Sequence, residues 1–321
     1  MVEVGIPVWH ARDTLCKCLD SLVAQTLDKF ITCLSIDCDG EDYSDIIETY
    51  RARGLKIRVI NGEENGGPGA ARQRIIDTTQ CDYLIFMDAD DMLMPRAVEV
   101  LSQHMKVNNF DIMRSGFIRE EKNKRDLFIP QDSSIITWFH GKIYRVKFLK
   151  EKNIRFLPGL RIDEDAYFNL IAWNSTENRG EIAEYTYIWR DNKNSLTRAQ
   201  SNSEYFKDNY MNYIIGQVRA LQRLLEINES VKNDIISITL INIYYTYMRA
   251  AYLEYPMAAA DELISELKAK KWLKNFLNDA DSWISLVNNV KAGEVYNNEH
   301  VIFYDEPINH WIVRLLVNDR T

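Results

Sequence analysis

The sequence predicts an α/β domain with a largely parallel sheet, followed by a separate helical region. Three observations carry that prediction. In the first half, short apolar runs alternate with amphipathic helical patterns, the signature of strands joined by helical crossovers. Acidic and glycine-rich turns follow those runs, where open α/β sheets gather ligands at the carboxyl ends of their strands. From about Tyr205 the texture changes to long amphipathic helices with almost no glycine. The expected division is residues 1–204 and 205–321.

Taken in order, residues 2–8 read as a strand. Leu15, Leu19, Leu22 and Val23 then share a helical face after a cap at Asp13. Residues 30–36 form a second strand, followed by the acidic turn Asp37-Cys38-Asp39-Gly40. Residues 46–53 read as a helix and 57–60 as a third strand, and Glu64-Asn65-Gly66-Gly67-Pro68-Gly69 is a glycine-rich loop. Residues 70–78 open the next helix, and 83–87 form the fourth strand. In the helical region Tyr210, Ile214, Val218, Leu221 and Leu225 share a face, as do Ile235, Ile238, Tyr245, Met248 and Tyr252. Further helices are expected over 258–276, 282–290 and 308–317.

A chain of 321 residues, 46% hydrophobic and 11% aromatic, can build a real core. Its net charge of -8 argues against a general nucleic-acid binder, which needs a basic face. Cys16, Cys18, Cys33, Cys38 and Cys81 are odd in number and lack Cys-x-x-Cys spacing, so reduced thiols are expected, with neither a disulfide frame nor a zinc site. The N-terminus enters a strand at once, without a basic leader or apolar signal region, so no secretion is implied. The apolar tract 235–247 is interrupted by Ser237, Thr239 and Asn242 and is too short to span a bilayer. A cytoplasmic protein is expected, soluble or peripheral at the inner face of the membrane. Residues 268–277, with Lys270, Lys271 and Lys274 beside Trp272 and Phe276, read as a snorkelling surface helix on their own domain; an anionic membrane face is the alternative.

The stretch "IFMDADDM" delivers Asp88, Asp90 and Asp91 from an apolar run. Carboxylates so close repel one another unless something positive sits among them. The candidates are a divalent cation, an Arg or Lys brought in by the fold, or water. Strand alternation would point Asp88 and Asp90 together, and such hard oxygen ligands suit Mg²⁺ or Mn²⁺. A solvated turn capping the helix that starts near Pro95 is the other reading. A second acidic cluster, Asp163-Glu164-Asp165, opens a helix over 164–173, with Asp163 as its expected cap.

Together these stretches resemble the family 2 glycosyltransferases, nucleotide-sugar enzymes of GT-A fold. The resemblance runs from Val4-Gly5-Ile6-Pro7-Val8-Trp9 through "NGGPGAARQRI" at 65–75 and "YLIFMDADD" at 83–91. It continues in "GKIYRVKFLKEKNIRFLPGLRIDEDAYFN" at 141–169 and "YIWRDNKNSLTR" at 187–198. Residues from about 205 are not covered. The resemblance implies a Rossmann-like, mostly parallel sheet flanked by helices. It also implies an inverting, metal-dependent transfer of a sugar from a nucleoside-diphosphate donor, a UDP-sugar, to an acceptor hydroxyl.

It assigns nucleotide contacts to Pro7, Val8, Asp39 or Asp37, Asn65, Gly67, Arg72, Asp88 and Ala89. Asp90 becomes the ligand of Mn²⁺ or Mg²⁺, with Asp88 beside it, and Asp91 a support. Asp165 becomes the general base, and Glu164 contacts acceptor or orients the site. His140 and Lys142, which precede Tyr144-Arg145, are expected to touch acceptor or metal. Arg190 and Arg198 belong to the segment that closes on the diphosphate. Two departures stand out: the family's adjacent Asp-Asp-Gly is spread over Asp37-Cys38-Asp39-Gly40, and Gln73 replaces the usual Asn.

A phosphatase-like reading of Asp-x-Asp places its motif near the chain start with Thr or Val following, unlike Asp91 here. A nucleotidyltransferase would need a basic glycine-rich loop after the first strand, which "PVWHARDT" lacks. A non-catalytic sugar- or nucleotide-binding module is the remaining alternative, disfavoured by retention of both acidic clusters. The expected acceptor is a surface or cell-wall glycan, with a modified DNA base as the minority option. The C-terminal helices are expected to bind acceptor or to mediate homo-oligomerisation.

Overall fold

Strand β1 (Val2–Val8) is buried at every position but Pro7, the pattern of a strand covered on both faces. In the computed structural model it lies at the centre of a parallel group. The structure describes residues 1–121, 127–133, 135–192, 202–228, 231–296 and 306–317, with backbone only for 202–204 and 291–296. Helix α1 (Arg12–Val23), β2 (Phe30–Ile36), α2 (Ser44–Ala52), β3 (Ile57–Asn61), α3 (Gly67–Thr78) and β4 (Tyr83–Phe86) follow in turn. β2 and β4 flank β1, and β3 lies outside β2, all parallel. This is the sheet that crossover helices dictate. Its core comprises Val4, Ile6, Leu15, Leu19, Leu34 and Ile85 among others.

Local chemistry explains where the observed helices depart from expectation. Ala11, not Asp13, occupies the N-cap of α1, and Asp13 lies in the first turn, where its charge favours the helix dipole. Helix α2 begins at Ser44, earlier than its apolar periodicity shows. Helix α3 reaches back to Gly67 because Pro68 fits a first turn, where a missing N–H is no loss.

The sheet then becomes mixed. β5 (Met92–Leu93), α4 (Ala97–Asn108), β6 (Ile112–Glu120), β7 (Phe128–Gln131), β8 (Lys142–Arg145), α5 (Val146–Glu151), α6 (Glu164–Asn174) and β9 (Arg179–Trp189) complete it. The order is β3-β2-β1-β4-β8-β6-β9-β5, with β7 beside β6. β8 is antiparallel to both β4 and β6, while β9 runs parallel to β6. The β6–β9 register shifts on either side of Gly116, where the ring of Tyr185 occupies the space a Cβ would need.

Contacts divide the chain into two compact units, residues 1–199 and 200–321. The second contains α7 (Asn202–Ile227), α8 (Asn233–Tyr252), α9 (Ala258–Ser265), α10 (Lys271–Asn278), α11 (Ala280–Tyr296) and α12 (Ile308–Ile312). It has its own core, including Ile214, Val218, Leu240, Ile243 and Trp311. On the expected face of α7, Tyr210, Ile214, Val218 and Leu221 are buried and Leu225 partly so. On that of α8 Met248 is buried and Ile235 and Tyr245 half-buried, but Ile238 is 53% and Tyr252 63% exposed, while Ile236, Leu240, Ile243, Tyr244 and Tyr247 are buried. Both sets repeat with helical period on a helix that is apolar nearly all round, so packing alone decides between them.

The single helix expected over 258–276 is broken by a 3₁₀ turn, Glu266–Ala269, and by extended backbone at Lys270. Leu273 and Phe276 of α10 are buried and Trp272 packs beside them, as a surface helix on its own domain requires. Among the described residues, no helix is long and apolar enough to cross a membrane. All five cysteines are free.

Candidate active site

The acidic residues after β4 do not continue the strand. β4 ends at Phe86, and the Asp91 N–H donates to the Asp88 carbonyl at 3.1 Å, closing a turn. Strand alternation therefore does not extend to Asp88 and Asp90. Asp88, Asp91 and His140 instead bring one ligand atom each within 4.8 Å of one another. The Asp90 carboxylate accepts from Asn192 Nδ2 at 2.9 Å.

Asp91 is 1% exposed. Its Oδ2 accepts from the Tyr187 hydroxyl at 2.6 Å and its Oδ1 from the Arg190 N–H at 2.8 Å. Burial, then the charges of Asp90 and Asp88, push its carboxyl well above the usual range. Tyr187 also accepts from the Asp88 N–H at 3.2 Å and stacks on His140 at 4.7 Å between centroids. Phe117, Trp138 and Trp189 complete an aromatic wall around that imidazole. The two carboxylates suit Mn²⁺ or Mg²⁺, and the imidazole is the kind of donor that transition-metal ions accept.

The positive partner that the fold supplies to Asp88 is Arg72 of α3. Its Nη2 donates to Asp88 Oδ1 at 2.5 Å and its Nη1 to Glu164 Oε1 at 2.7 Å. Arg72 is 4% exposed, and its guanidinium lies over the Phe139 ring at 4.6 Å. Burial disfavours the charge, but Asp88, Glu164 and Asp165 outweigh it and hold the guanidinium protonated. The two acidic clusters are thus joined through one side chain.

At the start of α6, Asp163 occupies the N-cap position in a left-handed conformation (φ 65°) and makes no side-chain capping bond, contrary to its expected role. Glu164 is buried against α3, close enough that a Cβ at Gly69 would lie 3.3 Å from its Cγ. Burial raises the Asp165 carboxyl well above its ordinary range, reinforced by Glu164 and Asp163 and opposed by Arg72. Asn169, further along α6, accepts from the Tyr144 hydroxyl and donates to the Thr137 carbonyl, tying the helix to the segment that carries His140.

Other expected site residues have different occupations. Lys142 is 1% exposed and gives its ammonium to the carbonyls of Ile135 and Trp138. Burial, with Arg114 nearby, lowers its pKa to about 7. The Arg190 side chain donates to Glu120 at 2.8 Å, so in this arrangement it serves β6. Arg198 lies outside the described residues.

Asp37 accepts from the N–H groups of Gly66 and Gly67 and from Arg74, and so holds the glycine-rich loop. Asp39 accepts from the His10 and Glu41 N–H groups and the Tyr43 hydroxyl. Burial pushes its carboxyl up, but these bonds, Tyr43's first, hold it below the usual range. The Val8 side chain and Ala89 are buried, Pro7 is half-buried, and the Asn65 carbonyl accepts from Arg161 at 2.8 Å.

Gly67 sits at φ 81°, with Arg161 Cγ 3.3 Å from where a Cβ would be. Gly67→Ala is expected to cost about 1–3 kcal/mol, read as a lower denaturant midpoint; an unchanged midpoint would show that the loop relaxes freely.

Sequence reasoning assigned no role to Tyr187, Phe139, Glu120 and Asn192, although Tyr187 and Asn192 lie in the quoted stretch 187–198. Tyr187, Glu120 and Asn192 meet their partners only once β6 and β9 are in place, and Phe139 only once the segment before β8 packs on Arg72 of α3 and Phe86 of β4.

The model of the family described as Glycosyl transferase family 2 matches residues 3–161. The chain is 28% identical over 217 residues to the uncharacterized glycosyltransferase EpsJ of Bacillus subtilis, covering 61% of this chain and 63% of that one. It is 29% identical over 204 residues to the poly(ribitol-phosphate) beta-glucosyltransferase of Bacillus spizizenii, covering 59% of this chain and 32% of that one. The crystal structure of S. aureus TarS 1-349 in complex with UDP matches 83% of this chain and 79% of its own, at 20% identity and a TM-score of 0.64. The fold is therefore of GT-A type, a mixed, mostly parallel sheet flanked by helices and followed by a helical C-terminal region. The chain belongs to glycosyltransferase family 2.

Proposed function

We propose that the protein is an inverting, metal-dependent glycosyltransferase. It moves a sugar from a nucleoside-diphosphate donor, a UDP-sugar, to a hydroxyl of a surface or cell-wall glycan. The observation that carries this reading is the junction of two acidic clusters at the carboxyl end of β4 through Arg72. TarS has been solved with UDP, and a relative glycosylates poly(ribitol phosphate), which supports both halves of the assignment.

Asp39 lies beyond β2 on the side assigned to the base, and Asp88 on the ribose side. Asp88, Asp91 and His140 would hold Mn²⁺ or Mg²⁺, which supplies charge neutralisation at a departing diphosphate. Asp165 takes the proton from the acceptor hydroxyl as its oxygen attacks the anomeric carbon opposite the diphosphate. Its raised pKa suits a base, since burial and neighbouring carboxylates increase its hunger for a proton. Glu164 faces Arg72 and fixes the start of α6. Residues 205–321 serve acceptor binding or self-association. The free thiols favour a reducing compartment, the cytoplasm.

Calorimetry with UDP and a panel of sugar nucleotides, with and without Mn²⁺, tests the donor half. Wild type is expected to bind one of them in a metal-dependent manner. His140→Gln should weaken binding roughly ten-fold only when Mn²⁺ is present, while Asp90→Ala does less. Equal binding with and without metal would remove the cation from the reading. Failure of every nucleotide to bind wild type would remove the enzyme.

A further inference from the structure

Two groups of carboxylates, each repelling within itself, face one another across α3, and a single guanidinium stands between them. The two Nη atoms of Arg72 are divided, one to Asp88 and one to Glu164. Its Nε is buried without a hydrogen-bond partner, and its face is against Phe139. Among the described residues the side chain therefore has two hydrogen-bonded anionic anchors, with Asp165 acting on it through charge. A cation shared in this way acts as a balance: when one anchor lets go, Coulomb attraction draws it toward the other.

The two ends belong to different tasks. Asp88 closes the turn after β4 beside Asp91 and His140, whereas Glu164 begins α6 and precedes Asp165. Resting on the reading of Asp88 as a donor-side residue and Asp165 as the base, we propose that Arg72 is a positioning residue that couples donor binding to the carboxylates of α6. When donor engages Asp88, the guanidinium shifts its hold to Glu164. Glu164, 92 residues away in sequence from Arg72, thereby assists donor binding by accepting the released cation. Coupling of this kind is reciprocal, so a change at either end is felt at the other.

The proposal has a sign that simple electrostatics does not give. Glu164→Gln removes a negative charge near a site for an anionic diphosphate, and bare Coulomb attraction then predicts tighter binding. The balance predicts the reverse. Without the charge of Glu164, Arg72 stays on Asp88 and competes with the donor.

The test is calorimetric titration with UDP in the presence of Mn²⁺ on wild type, Glu164→Gln, Arg72→Lys and the double variant. Lysine keeps the charge but cannot span both carboxylates with a fork. Glu164→Gln is expected to weaken UDP binding about five-fold or more, and to cause no weakening in the Arg72→Lys background. Unchanged or tighter binding by Glu164→Gln alone overturns the coupling, as does equal weakening in both backgrounds. If Arg72→Lys fails to fold, the sign of the Glu164→Gln effect decides alone. If neither UDP nor GDP binds wild type, the donor-site reading itself falls and the coupling with it, an outcome distinct from UDP binding that ignores Glu164.

Discussion

Asp165→Asn is expected to lower kcat by about 10²–10⁴-fold while changing nucleotide binding far less, because Asp165 is the proposed base and acts on Arg72 through charge, whereas Asp88 and Glu164 hold that guanidinium by hydrogen bonds. The measurement is steady-state transfer to a glycan acceptor beside calorimetry with UDP. Transfer at the wild-type rate would refute the base assignment. The pH profile gives the same assignment a second handle. Burial first, then Glu164 and Asp163, hold the Asp165 carboxyl above its ordinary range. A base works only when deprotonated, so wild-type activity should rise with pH through that raised value and fall away below it. Glu164→Gln removes one of the raising charges, and the acid limb should move to lower pH; movement to higher pH contradicts the assignment.

Arg72→Met is expected to cost about 3–5 kcal/mol of stability, the usual result of removing one member of a buried ion pair. Glu164 is then left buried with its neighbour Asp165, and Asp88 with Asp90 and Asp91, each group without the guanidinium that neutralises it. The loss should exceed that of Asp88→Asn or Glu164→Gln, since each of those leaves Arg72 one partner. Chemical denaturation followed by fluorescence checks this. A loss below about 1 kcal/mol, the range of exposed pairs, would mean that water replaces the guanidinium at both carboxylates.

What could be read from the chain was whatever depends on near neighbours. β1 and β2 run over residues 2–8 and 30–36 as expected, because short, mostly apolar runs rich in Val and Ile and bounded by polar turns leave little choice. The glycine-rich loop and both acidic clusters were visible for the same reason. The partners of those clusters were not. Whether Asp90 or Asp91 turns inward depends on where β4 stops, and strand alternation does not reach as far as either of them. Lys142, as a charged residue beside His140, looked available to a ligand, yet the carbonyls of Ile135 and Trp138 that take it up are brought to it only by the folding of the segment before β8. On α8, two apolar stripes fitted the helical period equally well, and only the packed second unit selects one.

The slipped register between β6 and β9 has a consequence for how the chain can change length. Before Gly116 the pairing runs Arg114 with Glu181; after it, Phe117 meets Tyr187 and Arg119 meets Trp189. The irregularity absorbs surplus residues upstream, so the turn at 175–178 and the first part of β9 can lengthen or shorten without disturbing the later part of the strand. Downstream there is no such slack. The strand from Tyr185 to Trp189, with Arg190 just past its end, acts as a ruler whose graduations place a hydroxyl and an N–H on Asp91. One residue inserted there would turn every side chain to the opposite face and present Thr186 or Ile188 where Tyr187 belongs. Length variation can therefore accumulate on one side of a single glycine, while the other side stays fixed in count as well as in composition.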